Sequence, residues 1–93
     1  MRTISRTSRF KKDYKRESKG QHRNNLDDLL VAAVSLLAAD QPLPDALRDH
    51  ALIGEWNDHR DCHLRPDLVL IYRLPDPNTL ELVRLGSHSE LSL

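Results

Sequence analysis

Four of the five histidines lie in the second half of the sequence, where the residue pattern is typical of β-strands. Histidine is the side chain best suited to give and take protons near neutral pH. Because residues i and i+2 of a strand face the same side, His59, Asp61 and His63 could share one face. Asp67 follows one turn later, and His88 comes at the end of the last predicted strand. Since a meander can bring strand ends to one rim, we expect several imidazoles and a carboxylate around one open surface.

A set of this kind is suited to cutting RNA without a metal ion. The RNA supplies its own nucleophile, the 2′-hydroxyl, so the protein needs a base for that proton and an acid for the leaving 5′-oxygen. It also needs positive charge for the phosphorane. His50, His63 and His88 are the candidates for the acid and the base. The candidate cations in the same part of the chain are Arg60, Arg65, Arg73 and Arg84.

Each of these residues also has an ordinary structural interpretation. A single surface histidine is usually only a polar residue, and this is the preferred interpretation of His22 and His59. Asp67 follows Pro66, so it could equally be a turn residue whose carboxylate accepts backbone N–H bonds. It is the joint placement of the other three histidines that favours chemistry.

A metal site is the main chemical alternative. His59, Cys62 and His63, with one more histidine, could supply nitrogen and sulfur ligands. A structural zinc site usually has two close ligand pairs, and here the second pair is missing. We therefore expect no metal ion and no other cofactor, and we expect Cys62 to be packed rather than reactive.

The net charge of zero hides a strong asymmetry along the chain. Residues 1–24 hold nine Lys and Arg against two Asp and Glu, whereas residues 25–93 hold five against twelve. A basic N-terminal segment favours a polyanionic partner, although a merely solvated basic helix would have the same composition. The residues of this segment that could contact phosphate include Lys11, Lys12, Lys15 and Arg16.

Apolar spacing predicts one strand and two helices in the first half of the chain. The strand covers residues 3–8, with Ile4 facing inward. A helix over residues 9–19, capped by Ser8, should turn its aromatic face to the core and its basic face outward. A second helix over residues 25–39 carries a continuous apolar stripe.

The last third of the chain is predicted to be β-rich. Three strands, over residues 60–64, 68–74 and 80–85, are joined by short turns and should form an antiparallel meander. The middle one is nearly all apolar, as expected of a strand buried on both faces. The fold class is therefore α+β, with two N-terminal helices packed on a small antiparallel sheet and the N-terminal strand at its edge.

Length and composition limit the remaining possibilities. The 93 residues allow a single domain, over residues 1–93. No apolar run reaches the roughly 20 residues of a membrane span, and the N-terminus has no apolar signal region. The single cysteine cannot form an internal disulfide. We expect a cytoplasmic protein without a membrane partner.

Four short motifs surround the histidines. They are His-x-Leu-x-Gly-x-Trp from His50 to Trp56, Arg-Asp-x-His-x-x-Pro-Asp from Arg60 to Asp67, Ile71-Tyr72, and Arg-x-Gly-x-His from Arg84 to His88. Together with an early Phe-Lys-Lys-Asp segment, they cover nearly the whole chain. The sequence resembles the YafQ branch of the RelE/ParE toxin superfamily.

This resemblance implies a ribosome-dependent messenger-RNA endoribonuclease that needs no metal. It also implies a type II toxin–antitoxin system, in which a cognate antitoxin binds the toxin and the pair reaches operator DNA only through the antitoxin. Transferred by position, the family's functional residues fall on His50, His63, Asp67 and His88. His88 would be the general acid, and the other three would position the 2′-hydroxyl, act as base or contact the phosphate. The predicted RNA- or phosphate-binding residues are Arg60, Arg65, Arg84, Lys11, Lys12, Lys15 and Arg16.

The sequence departs from the family pattern at two positions. Leu68 stands where a tryptophan is common after the aspartate, and Ser92 stands where an aromatic residue often follows the last histidine. Stacking of a base on an aromatic side chain contributes roughly 1–3 kcal/mol. The two replacements leave base stacking and codon preference open.

Two other functions are compatible with the same fold. A non-catalytic inhibitor of DNA gyrase, of the ParE kind, would lack the histidine set found here. An inactive toxin homologue would act only in antitoxin or operator binding, and the two missing aromatic residues favour it.

Overall fold

The computed structural model describes residues Met1 to Leu93 and contains one five-stranded sheet. The strands are β1 (Thr3–Arg6), β2 (His50–Ala51), β3 (Arg60–Arg65), β4 (Leu68–Asp76) and β5 (Thr79–Gly86). The helices are α1 (Ser8–Glu17), α2 (Leu26–Ala38) and the short α3 (His88–Leu91). Two 3₁₀ turns lie at Asp45–Leu47 and Gly54–Trp56. The predicted α+β class is confirmed.

The sheet has the strand order β1-β5-β4-β3-β2. Strands β3, β4 and β5 form the predicted antiparallel meander. Strand β1 lies at the predicted edge but pairs parallel to β5, with Ile4 opposite Leu80, so the sheet is mixed rather than wholly antiparallel. Parallel neighbours need a long crossover, and the two helices and the meander supply it here. At the other edge, β2 adds two residues antiparallel to β3.

The helix boundaries differ slightly from the predicted ones. Thr7, not Ser8, caps α1, because its side-chain oxygen accepts the Phe10 N–H at 3.0 Å. Asn25 precedes α2 as predicted, but its side chain makes no capping hydrogen bond. None of the helices has the length and apolar character that crossing a membrane requires.

Both long helices pack on one face of the sheet. The core on this face is formed mainly by Phe10 of α1, the α2 stripe and apolar residues of the strands. Cys62 and Leu64 of β3 belong to this core, so Asp61 and His63, which alternate with them along the strand, face the opposite side. A smaller cluster around Val69, Ile71 and Leu91 covers that side. The chemistry-bearing residues of β3 therefore lie away from the helices.

Ile4 was expected to be an inward anchor, and it does lie on the helix side of the sheet, opposite the buried Leu80, but it is not buried itself. Its side chain is 47% exposed. Strand β1 is an edge strand, and α1 and α2 do not close over it. Ile4 instead lines an open apolar groove of about 400 Å³ beside Phe10, Leu30 and Val31.

A buried carboxylate joins α1 to the end of β5. Asp13 is only 3% exposed. It accepts hydrogen bonds from the Arg84 guanidinium at 2.6 Å, from the Leu85 N–H at 3.0 Å and from Arg16 at 3.0 Å. Burial raises the pKa of Asp13, but the hydrogen bonds and the two guanidinium groups outweigh burial, so the pKa lies below its usual value of 3.8.

We expect Asp13→Asn to destabilise the fold by about 3–5 kcal/mol, because it leaves the Arg84 charge without its partner in a buried position. The difference from wild type should be full above pH 3.8 and should vanish as the pH falls through the lower folded pKa, since protonated Asp13 resembles asparagine. Urea denaturation at a series of pH values measures both effects. Asp58→Asn is the control, because Asp58 is exposed and its left-handed backbone also suits asparagine. Equal stability of the two variants at pH 7 would contradict the expectation.

Candidate active site

Three histidines converge on the sheet face opposite the long helices. His50 lies on β2, His63 on β3, and His88 is the first residue of α3. The ring centres of His63 and His88 are 4.9 Å apart, and those of His50 and His63 are 6.2 Å apart. The three imidazoles thus lie together, as the sequence predicted.

Strand register produces this convergence. Val69 of β4 pairs with His63 on one side and with Gly86 on the other. The chain leaves the sheet directly after Gly86, and Ser87 caps α3, so His88 arrives beside His63. On the other flank, His50 lies opposite Asp61 in the β2–β3 pair. Residues that are 38 positions apart in the sequence thus meet at one rim.

Asp61 is the carboxylate of this cluster. Its side chain is 3% exposed, and its Oδ1 lies 3.0 Å from Nδ1 of His50 and 3.9 Å from Nε2 of His63. That oxygen is buried and makes no hydrogen bond of good geometry, because Nδ1 of His50 donates instead to the Arg48 carbonyl at 2.7 Å. Burial raises the pKa of Asp61, and the three imidazoles oppose that effect. A buried oxygen without a partner is costly, so Asp61 favours a cation or a proton donor in the site.

His63 is held in a form that can accept a proton. Burial lowers the pKa of His63 below the usual 6.5, and the neighbouring His88, His50 and Arg48 lower it further, although Asp61 acts in the opposite direction. The side chain is 14% exposed, so it is sheltered but reachable. A neutral imidazole at this position is suited to the role of a general base.

Asp67, the predicted catalytic carboxylate, does not pair with His50, His63 or His88. It lies in the β3–β4 turn, where its carboxylate accepts hydrogen bonds from Gln21 and from Nε2 of His22, the latter at 2.9 Å. Gln21 and His22 belong to the connection between α1 and α2. The structure therefore favours the interpretation of Asp67 as a structural turn residue over the catalytic one. Its hydrogen-bond partners are side chains, not the backbone N–H groups that were expected.

Three of the predicted phosphate-binding arginines are already paired within the protein. Arg84 is bound to Asp13, Arg60 lies 3.3 Å from Asp49, and Arg16 contacts Asp13 and two glutamates. Sequence alone could not show the pairing of Arg84, of Arg60, or of Arg16 with Glu90, because those partners come from other parts of the fold, whereas Asp13 and Glu17 are neighbours of Arg16 on α1. The predicted cations that remain exposed and form no ion pair are Arg65, Lys11, Lys12 and Lys15.

Arg48 is a cation of the site that sequence reasoning missed. It is exposed, makes no ion pair, and borders the clefts on both sides of His63. Arg65 borders one of these clefts as well. The backbone of Arg48 is left-handed, with φ of 51°, which is uncommon for a residue other than glycine. No periodic pattern marks such a residue, and only its position two residues before His50 could have drawn attention to it.

The imidazoles open onto a cavity of about 740 Å³. Arg48 and the three histidines line one part of it, and Leu52, Ile53 and Trp56 line the other. Trp56, expected to be a core or loop anchor, packs against the small cluster and also forms part of this wall. Leu68 and Ser92 stand where aromatic residues are common in the family, and their surroundings differ. Leu68 is fully buried, whereas Ser92 lines the cavity.

The metal site considered from sequence is not formed. Cys62 is fully buried on the helix side of the sheet, and burial raises the pKa of its thiol to about 12. His59 packs edge-on against Trp56 instead of joining the cluster. A different set could hold a metal ion, because ligand atoms of His50, Asp61 and His63 lie within 4.8 Å of one another.

The fold and the histidine rim together define a class, the bacterial toxins of type II toxin–antitoxin systems. The family model with this description matches residues 2–93. The chain belongs to this family, the YafQ toxins.

Individual relatives agree with this membership. The mRNA interferase toxin YafQ of Escherichia coli K12 is 36% identical over 90 residues, which are 97% of this chain and 95% of that protein. A copper-bound mutant toxin from Helicobacter pylori has a TM-score of 0.85 at 34% identity, covering 98% of this chain and 99% of the other. YafQ in the E. coli DinJ–YafQ toxin–antitoxin complex has a TM-score of 0.81 at 35% identity, covering 97% and 96%.

Proposed function

We propose that this chain is the toxin of a type II toxin–antitoxin pair and that it cuts messenger RNA on the ribosome, in the cytoplasm. The observation that carries the proposal is the rim where His50, His63 and His88 surround the buried Asp61. A gyrase inhibitor of the same fold is non-catalytic, so it would not need a cluster of acid–base residues. The name of the E. coli relative, an mRNA interferase toxin, supports the same activity.

The reaction uses the RNA itself as nucleophile. His63, assisted by His50, removes the proton of the 2′-hydroxyl, and the 2′-oxygen forms a bond to the adjacent phosphorus. The bond from phosphorus to the 5′-oxygen breaks, and His88 gives its proton to that oxygen. The products are a 2′,3′-cyclic phosphate and a 5′-hydroxyl. Asp61, rather than Asp67, stabilises the imidazolium that forms during the reaction.

The charge of the phosphorane needs a cation in the site. Arg48 and Arg65 serve this purpose, because they flank His63 and have no carboxylate partner. The apolar wall of the cavity, with Trp56, offers a stacking surface for a base next to the cut. The exposed lysines of α1, on the other side of the sheet, contact ribosomal RNA through its phosphates.

Cleavage of a message with and without translation tests this function. The purified chain is incubated with a labelled message either free in solution or in a reconstituted translation reaction, and cut sites are mapped by primer extension. We expect cuts only in the translated message. An intact message in both reactions would contradict an enzymatic function and would leave the inactive-homologue hypothesis as the better one.

A transition-metal ion is a second ligand that the site supports. His50 and His63 offer imidazole nitrogens, and the orphaned Oδ1 of Asp61 offers a buried negative charge. Imidazole suits copper, zinc and nickel. The H. pylori relative was solved with copper bound. A bound ion would occupy the nitrogens that the acid–base reaction uses, so it acts as an inhibitor.

We therefore expect one equivalent of Cu²⁺ to suppress cleavage of a translated message, and an equal amount of EDTA, which takes up the copper and leaves the ribosomal Mg²⁺ in place, to restore it. Calorimetric titration should show one tight site in the wild-type chain. His50→Ala should weaken that site at least about tenfold, because even the loss of a residue that only orients a ligand typically costs about 10- to 100-fold in metal affinity, whereas His59→Ala should leave it unchanged. Cleavage that requires Cu²⁺, or that persists when copper is bound, would contradict this expectation.

The apolar groove between β1, α1 and α2 is the surface we propose for the antitoxin. Val31 is 64% exposed and Ile4 is 47% exposed, which leaves large apolar side chains open to solvent in one place. Arg6 and Lys11 lie at the border of the groove. An amphipathic segment with acidic flanks fits this combination. The E. coli relative was solved with its antitoxin DinJ, and contact with operator DNA would be made by the antitoxin.

We expect Val31→Glu to weaken antitoxin binding about 10- to 100-fold, because it removes apolar burial of roughly 1.5–3 kcal/mol and adds a charge near acidic groups. Surface plasmon resonance with the cognate antitoxin measures this change. Leu74→Glu, which alters another exposed apolar residue in β4, is the matched control. The two variants should cleave a translated message equally well. Equal antitoxin affinity of both would place the antitoxin elsewhere.

A further inference from the structure

Arg16 connects three elements around the end of β5. Its Nη1 lies 3.0 Å from Asp13 of α1, and its Nη2 donates to the Leu85 carbonyl of β5 at 2.7 Å. Its Nε donates to Glu17 of α1 at 3.0 Å and lies 3.2 Å from the carboxylate of Glu90 in α3, with which it forms an ion pair. A guanidinium group presents its donors in a fixed planar fork, which suits it to hold several partners in one geometry.

Glu90 continues this connection to the residue that precedes His88. One carboxylate oxygen of Glu90 accepts the Ser87 N–H at 2.9 Å, and the Glu90 N–H donates to the Ser87 hydroxyl at 3.2 Å. This reciprocal pair is a capping box, and it sets the direction in which α3 leaves the sheet. His88 lies between its two members, so its backbone is held from both sides.

Gly86 fits the same arrangement. A Cβ atom at this position would lie 2.7 Å from Nη2 of Arg16 and 3.1 Å from Glu90. Any other residue at position 86 would therefore push the guanidinium away from the Leu85 carbonyl. The backbone of β5 passes this close to Arg16 only because residue 86 has no side chain.

We propose that Arg16 and Glu90 form an ionic clamp that positions the His88 imidazole for the reaction, and that Arg16 is not an RNA ligand. The inference rests on the proposed function of His88 as general acid. Both side chains are about 40% exposed, so their pairing contributes little to global stability. The effect of the clamp is on orientation, where a shift on the order of 1 Å can cost about 100-fold in rate.

The test compares two ion pairs of similar exposure. Arg16→Met and Glu90→Gln each break the clamp, and glutamine still offers an oxygen to the Ser87 N–H. The control variants are Arg73→Met and Glu81→Gln, which break a 3.0 Å pair at the other end of the β4–β5 ladder. Arg73, a candidate cation from sequence, is paired with Glu81 there and lines neither cleft beside His63, so it has no part in the reaction. We expect both clamp variants to lower kcat about 10- to 100-fold with KM changed by less than about twofold. The double clamp variant should be no worse than either single one, and the control pair should have wild-type kinetics.

A second measurement follows His88 directly. NMR of ¹³C,¹⁵N-labelled histidine should give one ordered His88 ring in wild type and in the controls, and an averaged ring in both clamp variants. A raised KM with unchanged kcat in Arg16→Met would overturn the proposal in favour of direct RNA binding. Unchanged kinetics and an ordered ring in both clamp variants would also overturn it. If the wild-type chain cuts no message, the proposed function fails, and the NMR result alone decides whether the clamp exists.

Discussion

His88→Gln should reduce cleavage of a translated message by about 100- to 10,000-fold, the usual contribution of a positioned acid or base. Glutamine fills a similar space but cannot give a proton to the leaving 5′-oxygen. The fold should not change, because the capping box around α3 is made by Ser87 and Glu90 and does not use the His88 side chain. Single-turnover cleavage rates on programmed ribosomes, with thermal melting as a check, measure the effect.

His59→Gln is the matched control for this experiment. His59 is the same residue type in the same half of the chain, but its ring packs against Trp56 and it takes no part in the cluster. Its variant should cleave at the wild-type rate. A His88→Gln protein that cleaves as fast as the control would show that another group protonates the leaving oxygen.

Arg48→Asn should lower kcat by about 100- to 1,000-fold, the range found when one stabilising group is removed from a developing anion. Arg48 and Arg65 are the cations next to His63 that have no internal partner, and Arg48 borders the imidazole cavity itself. Asparagine removes the charge but tolerates the left-handed backbone, whose φ is 51°. The variant therefore separates loss of charge from loss of the loop conformation.

Arg48→Lys supplies the intermediate case. It keeps the charge without the planar fork of donors, so it should recover part of the lost rate. The KM for the ribosome complex should change less than kcat in both variants, because the phosphorane carries more charge than the bound phosphate. If Arg48→Asn raises only KM, then Arg48 contributes to binding and the phosphorane is stabilised by another group.

The elements of the fold with clear periodicity could be predicted from sequence. The apolar stripe of α2 and the apolar run of β4 have the patterns of a packed helix and a doubly buried strand. The parallel pairing of β1 with β5 could not be predicted, because it joins residues about 76 positions apart and no local pattern encodes direction. Strand β2 has only two residues, which is too short for any alternation to be visible.

The candidate site was predictable in part. The meeting of His63 with His88 could be predicted, because a meander brings the ends of its strands together, whereas His50 lies on the two-residue β2, which the sequence did not mark as a strand. Asp61 was within reach of the same reasoning, since the apolar residues Cys62 and Leu64 alternate with it and with His63. The pairing of Arg84 with Asp13 was not, because the partners are 71 residues apart. Charge alone cannot distinguish an arginine that binds RNA from one that binds a buried carboxylate.

The chemistry of the cut ends tests the acid–base account most directly. A translated message is cleaved by the purified chain in the presence of a chelator that is selective for transition-metal ions and leaves the ribosomal Mg²⁺ in place, and the new ends are analysed by mass spectrometry. Catalysis by the three imidazoles with the 2′-hydroxyl as nucleophile gives a 2′,3′-cyclic phosphate and a 5′-hydroxyl. A 5′-phosphate with a free 3′-hydroxyl, or the loss of all cleavage when only transition-metal ions are removed, would show that the cluster around Asp61 works in a different way.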